Sequence, residues 1–167
     1  MAKFLFILLI ITVQSFGQSF NQIIIDEKSE KPMLIGYTNR NAFTDTTFSW
    51  WFNTEYDDYD VEEGITSQLS PLFEDISIKI VMGTWCSDSR REVPHFYKIL
   101  DLSNFQEKNL TVINVDRKKL AEEIDLSDLK IELVPTFIIY RDKTEIGRII
   151  ETPEVTLEKD LLNILNK

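Results

Sequence analysis

The residue of this sequence best suited to chemistry is its one cysteine, Cys86. It follows the apolar, strand-like run 78–82 and precedes a segment with the pattern of a helix. A thiol at the first turn of a helix faces unpaired backbone N–H groups and the positive end of the helix dipole. That environment favours the thiolate, which is the nucleophilic form of cysteine. The position therefore predicts a reactive sulfur.

Four residues that follow Cys86 closely are expected to influence its charge. Ser89 can donate a hydrogen bond to a thiolate, and Arg90 and Arg91 add positive charge, whereas Asp88 opposes them. Cys86 and Ser89 are thus the candidate catalytic residues, and Arg90 and Arg91 are the candidate thiolate-tuning residues.

These residues belong to a longer ordered pattern. Trp85 precedes the cysteine, Pro94 lies eight residues after it, and Val134-Pro135-Thr136 opens a later apolar run. In this order they resemble the thioredoxin family, in which a strand leads into Trp-Cys-x-x-Cys and a proline kinks the following helix. The resemblance covers about residues 72–167.

The resemblance implies both a fold and a substrate groove. The fold is α/β, a thioredoxin-like three-layer α/β/α sandwich with a mixed central sheet. Pro135 is implied to be a cis proline that faces Cys86, and Trp85, Val134, Pro135 and Thr136 are implied to line the substrate groove.

Two positions depart from the family pattern and change the expected chemistry. Ser89 stands where the family has its second cysteine, and Ile80 stands where it has a buried acid. Without a second thiol, a mixed disulfide on Cys86 requires an external thiol to resolve it. The sequence therefore predicts monothiol thiol–disulfide exchange, with no cofactor and no metal.

Two other functions remain open at this stage. The same two losses favour a redox-inactive thioredoxin-like binding or chaperone module. A peroxide-reducing thiol is a third hypothesis, although it would need a sulfenic acid resolved by another molecule.

The N-terminus has the pattern of a secretory signal peptide over residues 1–17. Lys3 precedes the apolar run 4–13, and Ser15 and Gly17 place small residues before a cleavage site. We therefore expect an exported protein, periplasmic if bacterial and otherwise secreted, with no stable membrane insertion after cleavage. Its partners would be exported protein thiols or disulfides and an external thiol donor.

Net charge and the scarcity of metal ligands exclude further partners. The formal net charge of −10 argues against nucleic acid, which requires a basic face. One cysteine and one histidine cannot form a tetrahedral zinc set from the softer ligands. His95 is expected to be a solvated helix residue.

The remaining elements position this site. We expect a division into an N-terminal extension packed on the domain, 18–60, and a thioredoxin-like domain, 61–167. An aromatic helix capped by Asn41 or Asp45 is expected in the extension, and Trp50-Trp51-Phe52 within it would pack on the domain or form a ligand platform. Elsewhere, an Asp60 cap opens a second helix. The remaining elements are expected to be strands at 78–83, 110–115, 136–140 and 145–150, and helices at 87–100, 120–124 and the C-terminus.

Overall fold

The computed structural model describes residues 19–167, and the predicted signal peptide lies outside these residues. They contain one six-stranded sheet in the order β1-β2-β4-β3-β5-β6. The strands are β1 (Gln22–Ile25), β2 (Pro32–Thr38), β3 (Ile76–Met82), β4 (Leu110–Asn114), β5 (Thr136–Arg141) and β6 (Thr144–Ile150). β3 and β4 are parallel, and the other neighbours are antiparallel, so the sheet is mixed.

Four α-helices pack on one face of this sheet. They are α1 (Thr46–Asp58), α2 (Glu63–Leu69), α3 (Ser87–Leu102) and α4 (Leu157–Leu165). Buried side chains of all four helices share one core cluster with Ile78 and Ile80 of β3. Because alternate residues of a strand point to one face, this cluster defines the helical side of the sheet.

The aromatic helix predicted in the N-terminal part is α1. The side chain of Asp45 accepts a hydrogen bond from the backbone N–H of Thr47 at 2.8 Å, which caps the helix. Phe52 stacks on Phe43 with ring centroids 4.5 Å apart. Both rings are buried in the core that α1 shares with α3.

The opposite face of the sheet is covered by irregular chain. Val81, Ile113 and Val134 form the centre of a second core cluster there. The predicted helix at 120–124 is wrong, since the segment between β4 and β5 contains turns and one 3-10 turn, Ser127–Leu129. The side chain of Asp116 accepts backbone N–H bonds from Lys118 and Leu120, both at 2.8 Å, and so replaces helical hydrogen bonds.

The predicted α/β fold class with a mixed central sheet is confirmed. In the place of one helical layer of the predicted three-layer α/β/α sandwich, irregular chain with a 3-10 turn covers the sheet. The expected boundary at residue 60 falls between α1 and α2, and the parts on either side share one sheet and one core. The predicted Asp60 cap is wrong. Glu62 is the N-cap of α2, and its backbone N–H donates to Glu158 of α4 at 3.3 Å.

Candidate functional site

Cys86 lies at the N-cap of α3, where the chain leaves β3. Its backbone N–H donates to the carbonyl of Gly83 at 2.9 Å, and its own carbonyl accepts from Arg90 at 3.1 Å. The first bond closes the turn that follows the strand, and the second begins the helix. The thiol is half-buried and makes no disulfide. The predicted helix, 87–100, is confirmed with two further residues at its end.

The sulfur of Cys86 lies beside the loop that precedes β5. Sγ is 3.2 Å from the carbonyl oxygen of Val134 and 4.0 Å from a carboxylate oxygen of Asp88. The peptide bond between Val134 and Pro135 is cis. The fold thus brings together two pieces of the expected groove that are 48 residues apart in the sequence.

Thr136, the third residue expected in that loop, begins β5. Its hydroxyl donates to the carbonyl of Leu133 at 2.7 Å, and its side chain is buried. Thr136 therefore shapes the loop from within.

Ser89 is fully buried and contacts the backbone of the turn. Its hydroxyl oxygen accepts a hydrogen bond from the N–H of Gly83 at 3.3 Å. The expected hydrogen bond from Ser89 to the sulfur is not present among residues 19–167. In this geometry Ser89 positions the turn that holds Cys86.

The two arginines of the first helical turn face different partners. Arg91 forms ion pairs with Asp88 at 2.9 Å and with Glu92 at 2.7 Å, and these carboxylates raise the pKa of Arg91. Arg90 instead lines a cavity beside Trp85. The positive charge of Arg91 is therefore largely balanced by its own helix.

Trp85 is held by contacts that no sequence pattern indicated. Its indole N–H donates to the carbonyl of Val115 at 2.8 Å. The guanidinium of Arg117 lies over the ring, 4.9 Å from its centroid, which is a cation–π geometry. Arg117 donates three hydrogen bonds of 2.7 to 3.0 Å to Asp26. These bonds, together with one from Ser29, hold the pKa of Asp26 well below its usual range.

His95 does not have the predicted solvated position. Its side chain is 13% exposed, and its ring stacks on the ring of Tyr59 with centroids 4.1 Å apart. Its Nε2 lies 3.0 Å from Oε2 of Glu55. Burial lowers the pKa of His95, although Glu92 and Glu55 oppose that shift. His95 therefore belongs to the packing between α1 and α3.

Residues 19–167 contain neither a metal-binding cluster nor a membrane-spanning helix. Within that part of the chain, no group of three or more His, Cys, Asp or Glu side chains is arranged to hold a metal ion. None of the helices described there has the length and apolar character needed to cross a bilayer.

Comparisons with known proteins bear on the fold alone. No family model and no curated protein matches this chain. A crystal structure of a protein of unknown function from Pseudomonas aeruginosa is similar at 14% identity and a TM-score of 0.54, over 72% of this chain and 85% of that one. A mutant thioredoxin from Halobacterium salinarum gives 14% identity and a TM-score of 0.37, over 60% and 81% of the two chains. An HIV epitope scaffold gives 13% identity and a TM-score of 0.40, over 71% and 97%.

Proposed function

We propose that this chain is an exported thioredoxin-like protein that carries out monothiol thiol–disulfide exchange with Cys86. The observation that supports this proposal most strongly is the position of the sulfur, which is half-buried at the N-cap of α3 and 3.2 Å from the carbonyl oxygen of Val134. The free N–H groups of the first helical turn favour negative charge at this position. The loop before β5 provides a backbone surface beside the thiol for an extended peptide.

The proposed exchange takes two balanced steps. The Cys86 thiolate attacks one sulfur of a substrate disulfide, so that a mixed disulfide forms and the other substrate sulfur leaves as a thiolate. An external thiolate then attacks the substrate sulfur of the mixed disulfide. Cys86 leaves as a thiolate, and the external thiol is now joined to the substrate by a disulfide.

All predicted site residues except Arg91, whose charge is balanced by Asp88 and Glu92, have a role in this proposal. Trp85, Val134, Pro135 and Thr136 shape the groove. Ser89 fixes the turn through Gly83, and Arg90 adds positive charge near the groove. The substrates are disulfides of other exported proteins, which reach the same compartment through their own signals.

A direct test is to incubate the full-length protein with a small model disulfide and to measure the mixed disulfide on Cys86 by intact mass. We expect one adduct per chain, released by added thiol. Cys86→Ser is the matched control and should form none. Native protein that forms no adduct, while urea-unfolded protein does, would exclude thiol exchange.

One observation favours a second candidate function, a redox-inactive binding or chaperone module. Both hydrogen-bond partners of the sulfur within residues 19–167, the Val134 carbonyl and the Asp88 carboxylate, are acceptors and suit a protonated thiol. In that case Cys86→Ala suppresses the aggregation of an unfolded exported protein as well as the wild type does, as measured by light scattering. Loss of that activity in Cys86→Ala would instead favour the thiol function.

A further inference from the structure

A cavity of about 390 Å³ lies beside Trp85, and no residue of the loop before β5 lines it. Its walls come from the turn between β1 and β2, the start of β2, α1, the turn that precedes α3, the first turn of α3 and the segment after β4. The chain has three tryptophans, and all three line this cavity: Trp50, Trp51 and Trp85. Trp51 is buried, whereas Trp50 is 64% exposed and gives the cavity an aromatic rim.

The charge of this cavity has the opposite sign to that of the chain. Lys31, Arg90 and Arg117 line it, with Asp26 as the one acidic residue. Asp26 is already engaged by Arg117. Within residues 19–167, neither Lys31 nor Arg90 has a carboxylate within ion-pair distance.

Two cationic side chains without a paired carboxylate, Lys31 and Arg90, lie in the same cavity as the tryptophans and define the kind of ligand it would bind. A guanidinium binds a carboxylate through paired N–H groups, and an ammonium adds a point charge. Aromatic side chains bind apolar or aromatic groups of the ligand. In a protein of net charge −10, this local field attracts anions that the rest of the surface repels.

We propose that the cavity binds an organic carboxylate that carries an aromatic or apolar group. The carboxylate lies between Arg90 and Lys31, and the apolar group lies against Trp50. A small aromatic acid and an acidic peptide segment with a neighbouring aromatic residue share this chemistry. Because Cys86 does not line the cavity, binding does not depend on the proposed thiol exchange.

Tryptophan fluorescence reports directly on this site, because all three fluorophores line it. The full-length protein is titrated with 3-phenylpropionate and, as the uncharged match, with 3-phenylpropionamide. We expect a saturable change with the acid and affinity about tenfold lower with the amide, as for the loss of one charge-assisted contact. Equal affinity for acid and amide would overturn the proposal.

Three variants locate the contact. Arg90→Gln and Lys31→Gln should each weaken binding of 3-phenylpropionate several-fold, whereas Lys28→Gln should leave it unchanged. Lys28 is an exposed lysine of the same turn that does not line the cavity. Because Lys31 is also exposed, its variant keeps the test decisive if Arg90→Gln folds poorly. Unchanged binding in both Arg90→Gln and Lys31→Gln would refute the site.

Titration with a short peptide distinguishes the two sources of the carboxylate, a small acid and a peptide segment. Acetyl-Phe-Glu-amide that binds at least about tenfold more tightly than 3-phenylpropionate assigns the site to peptide segments, since added contacts contribute. The reverse order assigns it to small acids, and no binding of either refutes the proposal. Titrations with Cys86→Ala separate the outcomes, because binding there must persist even if thiol exchange fails.

Discussion

Replacing Gly83 by alanine tests whether the turn before α3 has the tight packing described here. A Cβ at this position would lie 2.5 Å from Nε1 and 2.6 Å from Cε2 of Trp85. Ordinary carbon contacts lie at about 3.5–4.0 Å, so the indole must move by about 1 Å. The strain does not come from the backbone, because Gly36 is the one glycine with positive φ among residues 19–167.

The expected cost follows from three effects. Overpacking costs about 1–3 kcal/mol, and loss of the indole hydrogen bond to Val115 costs about 1 kcal/mol. The lower entropy of the unfolded chain with alanine offsets about 0.4–1 kcal/mol. We therefore expect Gly83→Ala to lower the free energy of unfolding by about 1–4 kcal/mol.

Urea denaturation followed by far-ultraviolet circular dichroism measures this change, with Gly64→Ala as the matched control. Gly64 lies in α2 with no atom within 4 Å of an added Cβ. Alanine there should stabilise the protein by roughly 0.5 kcal/mol. A second readout is the rate of alkylation of native Cys86. The backbone N–H of Cys86 donates to the carbonyl of Gly83, so a distorted turn should expose the thiol and make alkylation faster. Gly83→Ala with wild-type stability and wild-type tryptophan fluorescence would refute the packing argument.

Further predictions concern stability, pH and export. Ser89→Ala leaves the buried N–H of Gly83 without an acceptor and should cost about 1–3 kcal/mol in urea denaturation, whereas an unchanged midpoint would contradict that hydrogen bond. Phe137→Ala, at a fully buried position, should cost about 3–5 kcal/mol by the same assay. Because burial holds the folded pKa of His95 below its unfolded value, its contribution to stability is complete above the unfolded pKa of about 6.5 and is lost as the pH falls from there through the folded pKa. His95→Gln should therefore flatten the stability profile below about pH 6.5, and an unaltered profile would count against the effect of burial. Export with cleavage should give a protein whose N-terminus, read by intact mass, is Gln18.

Local patterns in the sequence were enough to predict most of the sheet and the position of the thiol. The apolar run within 136–140 and the segment 145–150, separated by turn-like residues, predicted β5 and β6, which extend by one residue beyond those bounds. The strand–turn–helix order predicted that Cys86 would begin α3. These features depend on neighbouring residues, whose periodicity is visible in the chain itself.

The contacts that set the site's electrostatics depend on residues far apart in the sequence. Asp26 and Arg117 are separated by 91 residues, and neither belongs to a motif. At the start of α2, the backbone N–H of Glu62 finds its acceptor on Glu158, 96 residues later, so local residues wrongly indicated an Asp60 cap. Only the paired strands and packed helices bring such groups together.

The strand order also has a consequence for the order of folding. β3, α3 and β4 form a local crossover unit, and β5 and β6 form a tight hairpin, so both can form early. Pairing of β2 with β4 joins Gly36 to Asn114, which are far apart in the sequence, and the entropy of closing such a long loop is lost before the contact forms. Until β2 docks, β4 has an unpaired edge open to other chains. Substitutions along this seam are therefore expected to speed unfolding more than they slow folding.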